Sequence, residues 1–240
     1  MTTPPNANIR YDTHPATGCL HCPALITERH HIVWGSGPTP ADIMLIGEAP
    51  GYNEDMTGIP FVGKSGKDLD DLLFEAGFQR QDVHVANVLM CRPPGNRDPE
   101  PSEVENCSPW LWEHIRQVDP KVIVCFGKFS LHQFFEEKLV KDAEGLMLRR
   151  LCFTCGGMDG KHYQRHAAMG IWHGSSYGDS QEAVLSKTTA VPHTDNKVLV
   201  AAIYHPASAI ESRNPENRGK ILHQLQRVRA WIDDHAEEEV

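Results

Sequence analysis

Residues Gly47–Gly66, GEAPGYNEDMTGIPFVGKSG, are the stretch that most constrains the fold of this chain. They follow the apolar run Ile43–Ile46 and precede an amphipathic pattern that begins at Asp68. An apolar run of strand length that leads into a Gly- and Pro-rich loop and then into a helix is typical of a βα junction. In open α/β sheets, ligands bind where such loops leave the carboxyl ends of parallel strands. The stretch therefore predicts an α/β fold with a binding site at this loop.

Three further apolar segments predict the other strands of a parallel sheet. They span residues 84–90, 121–127 and 197–204, and each leads into a helical pattern or a loop. Buried strands separated by helices are typical of a sheet that is covered on both faces. We therefore predict an α/β protein with a three-layer α/β/α fold and a central four-stranded parallel sheet. Ser102 and Glu105 fit a capping box at the start of the helix that follows the second strand.

Two segments do not fit this pattern of strands and helices. The N-terminus is polar and Pro-rich, which predicts a flexible tail over about residues 1–15. Residues 140–196 show no clear period and predict a long insertion. Because no internal repeat or second apolar core is visible, we expect residues 1–240 to form a single domain.

The charge of the chain is unevenly distributed. The formal net charge is −9, but five acids lie in the last eight residues, which leaves −4 for the rest. An acidic balance argues against a nucleic-acid partner, because DNA-binding proteins usually have a basic surface. Basic residues near the predicted loops still allow a local basic face: Lys64, Lys67, Arg92, Arg97, Arg213, Arg218 and Lys220.

No apolar run approaches the length of a membrane span, and the N-terminus does not resemble a signal peptide. We therefore expect a cytoplasmic protein with no membrane partner. The chain has seven cysteines, and in that compartment cysteines are more often metal ligands or buried thiols than disulfides.

Four of the cysteines are candidate metal ligands. Cys19 and Cys22 form a C-x-x-C pair, Cys91 follows the second strand, and Cys107 lies on the next helix. These three segments can meet on one side of the sheet. Four thiolates suit either zinc or an iron–sulfur cluster, and the spacing does not choose between them. Cys125 lies within an apolar strand and is interpreted as a buried thiol.

Three motifs and the cysteine pattern together resemble one enzyme family. The motifs are GEAPGYNEDMTGIPFVGKSG, NVLMCRPPGNRDP and HPASAIESRNP, each at the end of a predicted strand. In this combination the chain resembles the family 4 uracil-DNA glycosylases of the uracil-DNA glycosylase superfamily. The resemblance extends over residues 19–135 and 197–233 and leaves out the predicted insertion.

The resemblance implies a DNA repair enzyme that binds uracil-containing DNA and acts as a monofunctional glycosylase. Such an enzyme flips uracil out of DNA and hydrolyses its N-glycosidic bond, which leaves an abasic site. The resemblance also implies a structural [4Fe–4S] cluster held by Cys19, Cys22, Cys91 and Cys107. We further expect the protein to be a monomer.

The resemblance assigns the main roles to three residues. Phe61 is the candidate platform on which the flipped base stacks, although most phenylalanines in such loops are core residues. Asn87 is expected to bond the O4 and N3–H edge of uracil through its amide. His205 is expected to donate a hydrogen bond to O2 as negative charge develops there. The sequence leaves open whether its imidazole is neutral or protonated.

The remaining assignments concern loop residues. Glu48 is the candidate for positioning the attacking water, because the aspartate of the family 1 motif is replaced here by Ala49. Glu54 is expected near C5 of the base, with an ordinary solvated loop acid as the alternative. Gly47, Ala49 and Pro50 are expected to shape the substrate-binding loop, and Ser208, Arg213 and Asn214 to contact DNA. A plain polar loop before a helix is the alternative for those last three.

Other functions remain open. The alternatives are a non-catalytic uracil-binding protein, a covalently trapping relative, a redox iron–sulfur protein, and a glycosylase for another pyrimidine such as hydroxymethyluracil. The uninterrupted first motif disfavours the trapping relatives, which have an inserted loop there.

The predicted insertion contains a local positive segment. Arg149 and Arg150 begin a stretch in which basic residues outnumber acids, and we predict that they contact DNA phosphates. The insertion also contains Cys152 and Cys155 with His162 and His166, at a spacing too short for common zinc fingers. We therefore expect no zinc there.

Overall fold

The computed structural model describes residues 18–134, 145–150, 197–203, 205–206 and 215–235. For residues 145–150, 197 and 215 it describes the backbone alone. The predicted tail over residues 1–15 and the cysteines and histidines of the predicted insertion lie outside the described residues.

The sheet contains five strands: β1 (Ile43–Gly47), β2 (Val83–Asn87), β3 (Val122–Phe126), β4 (Gly145–Arg150) and β5 (Lys197–Ile203). Their order across the sheet is β2-β1-β3-β5-β4. The first three strands and β5 pair in parallel, which confirms the predicted four-stranded parallel sheet. β4 joins the edge of β5 in antiparallel orientation and was not predicted, because it lies inside the segment that shows no clear period.

The position of β4 argues against the predicted phosphate contacts. Gly145 pairs with Ala202 near the carboxyl end of β5, and Arg150 pairs with Lys197 at its amino end. The backbone of Arg149 and Arg150 therefore lies at the opposite end of β5 from His205, away from the edge where ligands bind in such sheets.

The helices are α1 (Pro23–Ile26), α2 (Tyr52–Thr57), α3 (Lys64–Glu75), α4 (Pro101–Val118), α5 (Lys128–Leu131) and α6 (Pro215–His235). Short 3₁₀ turns span Arg80–Asp82 and Pro94–Asn96. None of the helices in the described part of the chain combines the length and the apolar character needed to cross a membrane.

Each strand of the parallel sheet is buried on both faces. Alternate residues of one face, such as Leu45 and Val124, pack with α3 and α6, and those of the other, such as Met44 and Ile123, pack with α4 and α5. This division into two apolar clusters confirms the three-layer arrangement. It also explains why the strands appear as continuous apolar runs without alternation.

The cap of α4 differs from the prediction. Helix α4 begins at Pro101, and the capping box is formed by Glu100 and Glu103, two residues before the predicted Ser102 and Glu105. The Glu103 carboxylate also accepts two hydrogen bonds from Arg97, at 2.6 and 2.9 Å. A proline is well tolerated at the first helical position, which fixes Glu100 as the cap.

A buried histidine makes the stability of this fold depend on pH. His84 is fully buried in β2, and its Nδ1 donates to the Pro38 carbonyl at 3.1 Å. Burial lowers the pKa of His84 to about 4. An unfolded histidine takes up a proton near pH 6.5, so below that pH the unfolded state binds more protons. The free energy of unfolding should therefore fall as the pH drops from 6.5 toward 4.

We expect the free energy of unfolding to be about 2 kcal/mol lower at pH 5 than at pH 6.5, because the loss amounts to about 1.4 kcal/mol per pH unit. Anaerobic denaturant unfolding of the wild type and of His84→Gln, whose amide can still donate to Pro38, measures it. The variant should lose less stability on acidification. His223→Gln, which changes an exposed histidine on α6, should behave as the wild type. Equal pH dependence in all three proteins would exclude His84 as the cause.

Candidate active site

A cavity of about 340 Å³ opens at the carboxyl ends of the parallel strands. Its walls come from the loop after β1 (residues 48–66), from Asn87 at the end of β2, from the loop 93–97, and from His205 after β5. The cavity lies beside β1, whose neighbours β2 and β3 extend the sheet in opposite directions. Open α/β sheets bind ligands at such switch points. Its volume is in the range of small-molecule sites.

Gly47 leaves room for the floor of this cavity. It pairs in register with Asn87 across β1 and β2. A Cβ atom at Gly47 would lie 2.5 Å from the Asn87 Oδ1 and 2.5 Å from the Phe61 ring. Any side chain at this position would therefore displace the two groups that form the floor.

The side chain of Asn87 is a buried amide that lines the cavity. Its side chain is 3% exposed. Within the described part of the chain, no hydrogen bond to the Asn87 carboxamide is found. Buried amides are nearly always hydrogen-bonded, so this group is suited to pair with a bound ligand. An amide offers one acceptor and two donors at fixed spacing.

Phe61 belongs to both the core and the cavity. Its side chain is 8% exposed, and its ring lies 6.4 Å from that of Phe126. The φ angle of Phe61 is 56°, a left-handed conformation that is uncommon for an aromatic residue and is often found at functional sites. Gly66 permits this turn, because a Cβ there would collide with the Phe61 carbonyl. The ring is therefore fixed at the cavity wall by its backbone.

His205 lies opposite Phe61. The two rings are within 25° of parallel, with centroids 6.3 Å apart. Burial lowers the pKa of His205 to about 4, so the imidazole is neutral at pH 7. Of the two forms that the sequence left open, this burial favours the neutral imidazole. A neutral imidazole can donate one hydrogen bond to an oxygen without being a cation.

Glu48 has an acidic neighbour. It is half-buried, and burial together with the charge of Asp98 raises its pKa, while Lys128 opposes that shift. Asp98 and Lys128 form an ion pair of 2.7 Å. Sequence reasoning did not identify this ion pair, because the motifs assign no role to either residue.

The Glu54 carboxylate stabilises the loop through hydrogen bonds and does not project freely from it. Its Oε1 accepts from the Gly63 amide at 2.7 Å and its Oε2 from the Gly51 amide at 3.1 Å. These two bonds connect the start of α2 with the start of α3 across the cavity. The carboxylate is thus committed to holding the substrate loop, in which Ala49 and Pro50 also line the cavity.

Asp55, the next residue, anchors the loop from behind. It is fully buried and accepts bonds from the His30 amide at 2.9 Å and the His31 amide at 3.2 Å. The His30 ring adds a contact of 2.8 Å. Burial alone would raise the pKa of Asp55, but these hydrogen bonds hold it below its usual range.

Three segments bring the four candidate cysteine ligands into two adjoining clusters. Cys19 and Cys107 pack near Trp34 and Met90, while Cys22 and Cys91 pack with Leu25 and Leu89. Among the described residues, no three His, Cys, Asp or Glu side chains form a group arranged to hold a metal ion. Burial raises the pKa of three of the thiols: Cys22, Cys91 and Cys107.

Nitrogen donors contact three of these sulfurs. The Arg29 guanidinium lies 3.3 Å from the Cys91 Sγ, and the Met90 amide donates to the Cys107 Sγ at 3.4 Å. The Asn106 amide lies 3.6 Å from the Cys22 Sγ. Hydrogen bonds to sulfur are a feature that tunes iron–sulfur centres, so the donor set is compatible with such a cluster.

The structure gathers most of the predicted site residues but not all of them. Glu48, Phe61, Asn87 and His205 share one cavity. The predicted DNA contacts lie outside the described residues: Ser208, Arg213 and Asn214. Sequence reasoning missed Tyr52 and Asn96, which also line the cavity although they lie within the quoted motifs. It considered Arg97, another lining residue, only as part of a local basic face.

Comparisons with known proteins agree with this geometry. Residues 34–226 match the model of a family described as the uracil DNA glycosylase superfamily. The type-4 uracil-DNA glycosylase of Archaeoglobus fulgidus is 35% identical over 192 residues, which cover 80% of this chain and 78% of that protein. That of Pyrobaculum aerophilum is 37% identical over 207 residues, which cover 86% of each chain. That of Thermotoga maritima is 43% identical over 122 residues, which cover 51% of this chain and 63% of that protein.

Proposed function

Because the chain belongs to the uracil DNA glycosylase superfamily, we propose that it is a type-4 uracil-DNA glycosylase. It removes uracil from DNA by hydrolysis of the N-glycosidic bond and leaves an abasic site. The similarity to type-4 enzymes over most of the chain supports this activity. The observation that supports it best in the structure is Asn87, a buried amide that lines a nucleobase-sized cavity and has no hydrogen-bond partner for its side chain among the described residues.

Recognition of uracil rests on three residues. The base enters the cavity after it has left the duplex, since it is inaccessible when stacked. Phe61 offers a ring face for stacking, and its rigid backbone position keeps that face in place. Asn87 then accepts a hydrogen bond from N3–H and donates one to O4. Glu54 holds the loop closed around the C5 side through its bonds to Gly51 and Gly63.

Bond cleavage places negative charge on the uracil ring. The C1′–N1 bond breaks, its electron pair stays with N1 and spreads to O2, and the sugar becomes oxocarbenium-like. His205, neutral at pH 7, donates a hydrogen bond to O2 and stabilises that charge. Water then adds to C1′ and loses a proton, for which Glu48 is the candidate acceptor. The sugar keeps the hydroxyl group, and uracil leaves.

The four candidate cysteine ligands lie in two adjoining clusters, which supports a common role for them in holding one metal centre. We propose that Cys19, Cys22, Cys91 and Cys107 hold a [4Fe–4S] cluster, which supplies a structural cross-link between three segments. Arg29 connects this region to the cavity. It contacts the Cys91 sulfur, while the adjacent His30 and His31 amides bind Asp55 behind the substrate loop.

We propose further that the protein acts as a single-domain monomer in the cytoplasm, on uracil-containing DNA. One sheet whose two faces belong to continuous apolar clusters supports the single domain. The DNA contacts assigned to Ser208, Arg213 and Asn214 remain part of this proposal.

Labelled oligonucleotides test the activity directly. Uracil is placed opposite guanine, opposite adenine, or in a single strand, and the products are treated with alkali. Strand breaks that appear only after alkali are expected, because a monofunctional glycosylase leaves the backbone intact. A parallel duplex with 5-hydroxymethyluracil distinguishes the alternative base. Absence of an alkali-labile product, or a borohydride-trapped adduct, would overturn the proposal.

The pH dependence of the reaction should identify Glu48. Burial and Asp98 raise the pKa of Glu48, so the carboxylate is lost as the pH falls through a value above that of an ordinary glutamate. Single-turnover rates should therefore decline on that acidic side, whereas His205 stays neutral down to about pH 4.

Glu48→Gln should remove this decline and slow the plateau about tenfold. This is less than usual for general acid–base catalysis, because an oxocarbenium-like transition state needs little nucleophilic help. Glu113→Gln, which changes a glutamate on α4 away from the cavity, serves as the control. An unchanged acidic limb in Glu48→Gln would assign the titration to another group.

A further inference from the structure

Tyr52 and Arg92 form a cation–π pair at the mouth of the cavity. Tyr52 begins α2 and lines the cavity, yet its side chain is 55% exposed. The guanidinium of Arg92 lies over its ring, 5.2 Å from the centroid. An exposed aromatic residue is common on protein surfaces, but this one is continuous with the uracil site.

The pair is held in position from the opposite side. The Arg92 Nε donates to the Asn96 Oδ1 at 2.7 Å, and Asn96 itself lines the cavity. Asn96 has a positive φ of 55° at the end of the turn Pro94–Asn96, which sets the direction of its Cα–Cβ bond. Arg92 is half-buried. One face of the Tyr52 ring is therefore covered by an oriented cation, and more than half of the side chain still meets solvent.

We infer that Tyr52 and Arg92 are a subsite for the nucleobase next to the flipped uracil on the same strand. This inference rests on the proposed glycosylase function. An aromatic ring with an adjacent arginine is the chemistry that binds unstacked bases, since every base has a π-face and the cation attracts the phosphate. When uracil leaves the stack, its neighbour loses a stacking partner, and Tyr52 offers an exposed ring beside the cavity that uracil enters.

The subsite makes a measurable prediction with unmodified protein. Single-stranded oligonucleotides with one uracil are prepared with a normal nucleotide or an abasic tetrahydrofuran spacer on the 5′ side, and likewise on the 3′ side. The spacer keeps the phosphates and removes only the base. One of the two spacers should lower kcat/KM about tenfold for the wild type, which is the scale of one lost base–aromatic stack.

Variants of Tyr52 show whether the loss in kcat/KM depends on its aromatic ring. Tyr52→Ala should lower kcat/KM about tenfold on the normal oligonucleotide and show no further loss with the spacer. Tyr52→Phe, which keeps the ring, should respond as the wild type does. Phe74→Ala is the matched control, because Phe74 is an exposed aromatic residue at the far end of α3. Iron content and circular dichroism verify that each variant is folded.

The outcomes separate this inference from the proposed function. If the wild type releases uracil but neither spacer matters, or if Tyr52→Ala remains as sensitive to the spacer as the wild type, the subsite is wrong. If no protein releases uracil, the glycosylase function is wrong. In that case fluorescence anisotropy with the same oligonucleotides still tests the subsite, which requires that the spacer weaken binding to the wild type and to Tyr52→Phe but not to Tyr52→Ala.

Discussion

Asn87→Ala is expected to slow uracil release by about 10²- to 10³-fold, the loss that follows removal of one preorganised polar group from an active site. Asn87 is 3% exposed, so its hydrogen bonds to a base form in a site that excludes water. Alanine would remove the buried amide that lines the cavity and leave the O4 and N3–H groups of uracil unpaired. Single-turnover assays on single-stranded uracil DNA measure the chemical step without product release.

The matching control is Gln117→Ala, which removes a side-chain amide from α4 outside the cavity. It should retain the wild-type rate. His205→Ala should show a loss of similar size to Asn87→Ala, because it removes the donor for O2. A rate for Asn87→Ala within about threefold of the wild type would show that the base is recognised by other groups.

Cys107→Ala is expected to lose the iron, the brown colour and most of the soluble yield. The segments that contain the cysteines are held by two small apolar clusters rather than by the main core. A metal centre that links such segments contributes directly to folding free energy. Anaerobic purification followed by iron and sulfide analysis, with absorbance near about 400 nm, measures the cluster.

Cys125→Ala provides the comparison for this result. Cys125 is fully buried in β3 and packs in the core face that meets α4 and α5. Its loss should keep the iron and cost only a small cavity, on the order of 1 kcal/mol. Stoichiometric zinc without iron in the freshly isolated wild type would replace the cluster with a zinc site.

The sequence predicted the position of the site because its signals are local. A βα junction, an amide at the end of a strand and a histidine after another strand all project to one edge of a parallel sheet. The register between β1 and β2, which the sequence did not predict, places Gly47 beside Asn87.

Other features depend on contacts between distant segments. The sequence could not show that Glu54 bonds two backbone amides, or that Asp55 is buried beneath His30 and His31. The neutral state of His205 follows from desolvation, which is a property of the assembled cavity. Strand β4 was hidden for a related reason, since a short edge strand is defined by its partner more than by its own pattern.

The hairpin of β4 and β5 has a consequence for how the chain can vary in length. Arg150 and Lys197 are directly paired, so the two described residues that flank positions 151–196 lie side by side at a single point of the sheet. Paired Cα atoms in an antiparallel ladder are about 5 Å apart, a gap that a tight turn or a whole foreign domain can bridge. That point lies at the end of β5 away from His205, about 20 Å along the strand. Fusion of a reporter domain there would label the enzyme while its catalytic cavity stays open to DNA.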